Sequence, residues 1–380
     1  MIDKEFLASA INLDNGPQLI AEGISGTEYN VIKYAGHYYG IHQWDGAFSC
    51  EKIVRREYTK PTFIGRSLRE VSSLIEGLPM DLAQERDELL EREQKLLEVV
   101  RYFCRFKPPG HYYTPILSDE DIAARAARSH IPAAKEVPAI DLHEARQLLH
   151  LREMAREYRE LAPFPAEPAK GQRYYYKNDE LAYYDAIVLR HFLLTARPRR
   201  VVEVGAGYSS SLMLDVNEQG KMNIKFAVID PDLSRFNQLV KSVDRSFHEV
   251  FECRLQDVAM DRFESLESGD ILFIDSSHVS KMDSDVNWYM FEILPRLKPG
   301  VFVHIHDIGF PFEYPLNFIQ QGRCWNESYF LRAFMMYNNA FKVEFFVAFT
   351  SHFHIDFIRT EMPMCAERPG GSFWMRKQPV

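Results

Sequence analysis

The second half of the chain predicts an α/β domain, a mostly parallel sheet with helices on both faces. Three observations carry this. From about residue 171, short and nearly all-apolar runs alternate with helix-length segments, as in strands buried on both sides. One run ends in a glycine-rich turn that opens straight into a helix, Val204-Gly-Ala-Gly-Tyr-Ser209. Polar residues, mostly acids, then recur where the apolar runs stop.

Taken in order, residues 1–75 read as a small β-rich module. Tyr29-Asn-Val-Ile-Lys-Tyr34 and His37-Tyr-Tyr-Gly-Ile41 flank Ala35-Gly36, which predicts a hairpin. Residues 76–170 read as a helical linker or cap region. Leu82, Leu89, Leu96 and Phe103 recur every seven residues over 78–106, ending at Pro108-Pro-Gly110. About three heptads are short for a coiled coil between subunits, so a helix packed on its own domain is the preferred reading, with a homo-oligomer as the alternative. A second helix over 141–161 stops at Pro163-Phe-Pro165, and the Pro/Ala-rich segment to Gly171 reads as a hinge.

Within 171–380, strands are expected at Val201–Val204, Ile224–Ile229, Ile271–Ile274, Val301–Ile305 and Val343–Phe349. Helices are expected at Ser209–Val216, Leu233–Val243 and Val286–Leu297, and Ser372–Lys377 is expected to pair antiparallel with Val343–Phe349.

Composition narrows the function classes. Hydrophobic residues make up 46% and charged residues 26% of the 380, the balance of a globular protein with two or three domains. A net charge of -9 argues against a broad electrostatic grip on nucleic acid. No signal peptide and no membrane span are read from the sequence. The five cysteines, Cys50, Cys104, Cys253, Cys324 and Cys365, are scattered and form no CxxC pair. They read as reduced thiols of a cytoplasmic protein.

A glycine-rich strand-to-helix turn alone fits a nucleotide cofactor or a tight turn. Three details refine it. Glu203 lies inside an apolar strand, where a carboxylate needs a donor such as an ammonium or a backbone N–H. Near the point where a dinucleotide fingerprint expects its third glycine, the chain has Ser209. Finally, Asp230 ends the second strand, Asp257 follows the third, Asp275 ends the fourth and His306-Asp307 ends the fifth. Doubly wound sheets bind ligands at these carboxyl ends.

These residues resemble the class I methyltransferases that depend on S-adenosylmethionine. The nearest likeness is to a bacterial group, methyltransferase family 24-like, with an E-V-G-x-G-[FY]-S-S turn, an F-I-D-x-x-H fourth strand and an H-D-I fifth strand. Here these are Glu203–Ser210, Phe273–His278 and His304–Ile308, and Gly370-Gly-Ser-Phe-Trp374 resembles the group's last strand. The likeness spans about 171–380. It implies a Rossmann-like sheet of seven strands, the last antiparallel. It also implies a cofactor site of Glu203, Gly205, Ala206, Gly207, Tyr208, Ser209, Asp230, Asp257 and Asp275. Of these, Asp230 would accept from the ribose hydroxyls, and Asp257 would sit near the adenine or be a surface acid.

Methyl transfer needs the acceptor aligned with the methyl carbon and sometimes a proton removed. Asp275, His278, His306 and Asp307 are the catalytic candidates. His306 would be the base, Asp307 would orient it or face the acceptor, and His304 would be a packed histidine. Relatives with oxygen acceptors bind Mg²⁺ through carboxylates placed like Asp275 and Asp307, but Ile308 stands where they carry Asn or Asp. Gly309–Pro315 and Trp325–Tyr329 read as an acceptor pocket, a lid, or a loop packed on the sheet. Tyr174-Tyr-Tyr176 reads as a cofactor cover or as packing. Residues 30–43 resemble a short module found beside bacterial glycosyltransferase domains, which implies a saccharide or glycoconjugate acceptor. Tyr38, Tyr39 and Trp44 would stack on sugar or, preferably, form that module's core. The leading reading is thus an O-methyltransferase of a glycan or small molecule. The alternatives are a C- or N-methyltransferase of a specialised metabolite, a non-catalytic methyltransferase-like protein and a nicotinamide-dependent dehydrogenase.

Overall fold

The computed structural model describes residues 18–21, 29–34, 37–44, 47–54, 57–58, 94–96, 107, 110–128, 134–160, 164–244 and 248–379. The heptad helix expected over 78–106 lies outside the described residues except at 94–96, which are helical. The side chains of Tyr38, Tyr39, Trp44, Cys50 and Cys104 also lie outside them. Cys253, Cys324 and Cys365 are free thiols. No described helix is long and apolar enough to cross a membrane.

The chain divides into two compact units. The first comprises Met1–Ser129 and Leu316–Cys324. It holds a meander of five antiparallel strands, β1 (Gln18–Ala21), β2 (Tyr29–Tyr34), β3 (His37–Trp44), β4 (Ala47–Val54) and β5 (Glu57–Tyr58). The predicted hairpin is present, with Tyr34 opposite His37. Helix α1 (Asp119–Ala127) starts at a capping box, in which Ser118 and Asp121 each satisfy the other's backbone N–H.

The second unit comprises His130–Pro315 and Trp325–Val380. Its sheet has seven strands, β6 (Arg200–Val204), β7 (Lys225–Ile229), β8 (Glu249–Phe251), β9 (Ile271–Ile274), β10 (Phe302–Ile305), β11 (Phe341–Phe346) and β12 (Phe373–Lys377). They lie in the order β11-β12-β10-β9-β6-β7-β8. The pairs from β8 through β10 are parallel, and β12 is antiparallel to both its neighbours. From β6 the chain moves outward through β7 and β8, then returns to β9 on the other side. The space beyond β6 and β9 is therefore a topological switch point, where such sheets leave a crevice.

Side-chain alternation divides the core between two faces. Val201, Phe226, Ile271, Phe273 and Trp374 pack under α2 (Glu144–Glu160), α3 (Tyr183–Ala196) and α4 (Tyr208–Gly220). Val202, Val204, Leu272, Ile274, Val303 and Ile305 pack on the other face, under the helical stretch 285–296 and α5 (Glu327–Met335). Phe192 of α3 stacks on Trp374 with centroids 4.1 Å apart.

Two expectations are corrected. The run Val343–Phe349 is a strand only to Phe346, and Val347–Phe353 is helical. Val347 and Phe349 stay buried, and a buried helix reads as apolar as a buried strand. The helix expected over Leu233–Val243 ends at Leu239, because Val240 is extended.

Candidate active site

The site is built outward from the glycine turn. Gly205 has φ +85°, and a Cβ there would run into the carbonyl oxygen of Asp275. Only glycine lets the end of β6 lie this close to the end of β9. Gly205 N donates to Ile229 O at 2.9 Å and Asp275 N to Val204 O at 2.8 Å, so the ends of β7 and β9 are tied to the same turn. Ala206 N donates to Asp230 Oδ2 at 2.7 Å, and Asp232 N to Asp230 Oδ1 at 2.8 Å. Glu203, Asp230 and Asp275 thus converge on one turn.

Glu203 is fully buried, and its donors come from the first turn of α4. Ser209 Oγ donates to Oε1 at 2.7 Å and Ser210 Oγ to Oε2 at 2.6 Å. This corrects two expectations. The donors to Glu203 are hydroxyls, not backbone N–H groups, and Ser209 points inward to Glu203 and away from the surface of the turn. Burial, with the nearby Asp275 and Asp230 adding to it, pushes the Glu203 carboxyl up to about 8 against the two serines. Burial also raises Asp230, opposed by the N–H groups of Ala206 and Asp232.

Tyr208 bonds Tyr175 hydroxyl to hydroxyl at 2.6 Å, and burial together with that phenol pushes it up to about 12. Tyr174 lies in the core and Tyr176 packs edge-on against Tyr183. Asp257 is about half exposed and paired with Arg254, which also holds Asp283. Among the described residues it makes no hydrogen bond to the glycine turn.

The second half of the site gathers where β9 and β10 end. His278 Nδ1 donates to Glu327 Oε2 at 2.8 Å, and Tyr289 donates to the other Glu327 oxygen. His278 Nε2 lies 3.5 Å from Asp275 Oδ1 and 3.6 Å from Asp307 Oδ2. Burial alone would lower His278, but Glu327 and Asp275 hold it well above its ordinary value, as an imidazolium. Burial opposes ionisation of Asp275, but His306 and His278 outweigh it and hold the carboxyl below the usual range. For Asp307 burial wins over the two histidines, and its carboxyl is raised. The side chains of Asp275 and Asp307 are 35% and 28% exposed, whereas His278 is 7% exposed. The carboxylates can therefore meet a ligand, and the imidazole sits behind them. His278 and Asp307 both hold left-handed backbone, φ 59° and 56°, a costly state for such residues.

His306 is buried, 3.8 Å from Asp185 Oδ2 and 3.4 Å from His304 Nε2. Burial would lower it, but Asp275, Asp185 and Asp307 raise it. His304 stacks flat on Phe273 at 3.8 Å, and burial with His306 beside it drives it well below its ordinary value. The loop after Asp307 is packed on the sheet. Phe312 and Tyr314 are buried, and Phe310 lies against Phe346, Phe349 and Phe353.

Two participants were missed from the sequence. Asp185 accepts from Gly371 N and Ser372 N at 3.1 and 2.9 Å, fixing the glycine pair beside Asp307. It stands in the run Tyr183-Tyr-Asp-Ala-Ile-Val-Leu189, the same signal of an acid among apolar residues that marks Glu203. Glu327, fully buried, carries no such signal, since its neighbours Asn326 and Ser328 make it read as loop.

Mg²⁺ does not fit between Asp275 and Asp307. The cation wants an octahedron of oxygens. Here the two carboxylates are joined by an imidazolium, 3.5 and 3.6 Å from its Nε2, which already balances their charge, and the Ile308 side chain, fully buried, has no oxygen to offer.

Residues 202–308 match the family model described as a methyltransferase domain. An uncharacterized protein of Archaeoglobus fulgidus is 33% identical over 164 residues, which are 42% of this chain and 73% of that protein. Among solved structures, an apo structure of CmcI-N160 resembles the chain at 15% identity and a TM-score of 0.36, covering 75% of this chain and 96% of the other. The O-methyltransferase TomG of Streptomyces achromogenes, in complex with SAM, does so at 13% identity and a TM-score of 0.34, covering 70% and 100%.

Proposed function

The chain belongs to the class I S-adenosylmethionine-dependent methyltransferases, and from that premise we propose that it methylates an oxygen of a small-molecule or glycan acceptor. The observation that carries the proposal is the convergence of Glu203, Asp230 and Asp275 on the glycine turn. A crevice edged by the Asp230 and Asp275 carboxylates, with Glu203 buried behind the turn, attracts a ligand bearing an ammonium and a sulfonium and repels a pyrophosphate. That same electrostatic preference argues against a nicotinamide dinucleotide.

The residues fit the cofactor. Each Asp230 oxygen accepts one backbone N–H and keeps lone-pair capacity for a ribose hydroxyl. Gly205 lets the turn close against the end of β9, and Asp275 supplies negative charge for the aminoacyl end, while the buried Glu203 holds the first turn of α4 through Ser209 and Ser210. When bound, S-adenosylmethionine supplies a methyl carbon made electrophilic by its sulfonium charge.

Asp307 takes the acceptor's hydroxyl proton in this reading. It is the exposed carboxylate whose raised affinity for protons suits a base, and the His278 imidazolium steadies it before and after the transfer. Glu327 fixes the ring of His278. His306 is buried among acids and acts in this reading by orienting Asp275 and Asp185 rather than as the base. A hydroxyl needs its proton removed as it attacks, which is the reason for preferring oxygen to a neutral amine nitrogen.

Isothermal titration with S-adenosylhomocysteine and with NADH tests the cofactor. Binding of the first and not the second is expected, and binding of NADH alone overturns the reading. Mass spectrometry of extracts incubated with the enzyme and deuteromethyl-labelled cofactor tests the acceptor. A label on carbon or nitrogen refutes oxygen transfer.

A further inference from the structure

Away from the strand-end cluster, α2 and α3 bring a second set of ionisable groups together within the same unit. His150, Glu153 and Glu157 are spaced three and four apart on α2 and so share one side of that helix. His191 faces them from α3. His150 Nδ1 lies 2.9 Å from His191 Nε2. The outer nitrogens each face a carboxylate, His150 Nε2 at 3.2 Å from Glu344 Oε2 of β11 and His191 Nδ1 at 3.0 Å from Glu157 Oε1. Arg146 also donates to Glu344, at 2.8 Å. His150 and His191 are 6% and 0% exposed, whereas the Glu153 side chain is 47% exposed with Oε2 3.9 Å from His191 Nε2.

Counting hydrogens exposes a conflict. A neutral imidazole has one N–H. Each ring must aim that N–H outward, at its carboxylate. The two inner nitrogens then confront each other as lone pairs, an arrangement that needs a third proton or another electron-pair acceptor between them.

We propose that His150 Nδ1, His191 Nε2 and the Glu153 carboxylate bind one divalent ion of the zinc class. The ligand atoms of these three residues already lie within 4.8 Å of one another. Zn²⁺ takes imidazole nitrogen and carboxylate oxygen in tetrahedral sets, with water as a common fourth ligand. Glu344 and Glu157 complete the pattern, since metal-bound histidines give their other N–H to a carboxylate. Zn–N bonds of about 2.0–2.1 Å place tetrahedral ligands about 3.4 Å apart, so the two rings need to part by roughly half an ångström. The ion joins α2 to α3 and, through His150 and Glu344, to β11. It is independent of the methyl-transfer reading, because no residue of that site takes part.

The test uses the full chain, stripped with a chelator and titrated with Zn²⁺ against a chromogenic competitor, and separately with Co²⁺. Wild type is expected to bind one equivalent, with the visible ligand-field bands of four-coordinate Co²⁺ and a Zn²⁺-dependent rise in Tm. Glu153→Ala, a half-exposed position, leaves the metal-free Tm unchanged and weakens Zn²⁺ at least about ten-fold. His191→Gln abolishes binding, and Asp307→Asn leaves it intact. A wild-type chain with no saturable Zn²⁺ binding overturns the proposal. Binding that survives both Glu153→Ala and His191→Gln unweakened also overturns it.

Discussion

Two clusters in the second unit each set one buried cation among three carboxylates, and they are built to opposite ends. Arg173 gives NH1 to Asp215 at 2.8 Å and to Glu218 at 2.7 Å, and Nε and NH2 to Asp244 at 2.8 and 2.6 Å. Asp215 also accepts the backbone N–H groups of Arg173 and Tyr174. A guanidinium has five N–H donors, enough to give every acid a short bond. His278 has two. Glu327 takes one, and Asp275 and Asp307 share the other at distances beyond a normal hydrogen bond. The first knot is closed on itself. The second leaves two partly exposed carboxylates with spare acceptor capacity beside left-handed backbone, the arrangement the proposed methyl transfer would use.

The comparison can be broken from either side. The largest effect is expected at Asp307→Asn, which should lower kcat by about 10²–10⁴ while leaving the Kd for S-adenosylhomocysteine within a few-fold. Single-turnover transfer and calorimetry check this, and an unchanged kcat would move the base elsewhere. Arg173→Met should do the reverse, costing about 3–5 kcal/mol in urea unfolding because the buried Asp215 and Asp244 lose their cation while Glu218 keeps Lys241, with kcat per folded molecule unchanged. Asp230→Ala should weaken S-adenosylhomocysteine by roughly 1.5–3 kcal/mol, the worth of charge-assisted bonds. The last effect is a slope. Glu203 is raised on folding from 4.5 to about 8, so its contribution to stability is complete below pH 4.5 and is lost as pH climbs through about 8. Urea midpoints of wild type and Glu203→Gln across that window should converge at the acid end and diverge at the alkaline end. Parallel profiles would mean Glu203 is ionised throughout.

Much of this was legible in the sequence because each signal was local. The strand Ile271–Ile274 was read to the residue, and the glycine turn with its flanking acids located the switch point. Glu203 betrayed itself as an acid among apolar neighbours. What stayed hidden depends on contacts between distant segments. Glu327 meets His278 across 49 positions and Asp185 meets Ser372 across 187, and no spacing rule links such partners. The proton preferences of His306 and Asp307 were also out of reach, since they arise from which neighbours the fold packs around them.

The position of β12 has a consequence for synthesis. It stands between β10 and β11 yet follows both in the chain. A ribosome therefore emits five parallel strands, the glycine turn and both strand-end acids while the flank of β10 is still an unpaired edge, open to stray pairing. Until residues 371 and 372 emerge, Asp185 also lacks the two N–H groups that fix it. Until β12 emerges, β10 and β11 have no strand between them to join them into one sheet.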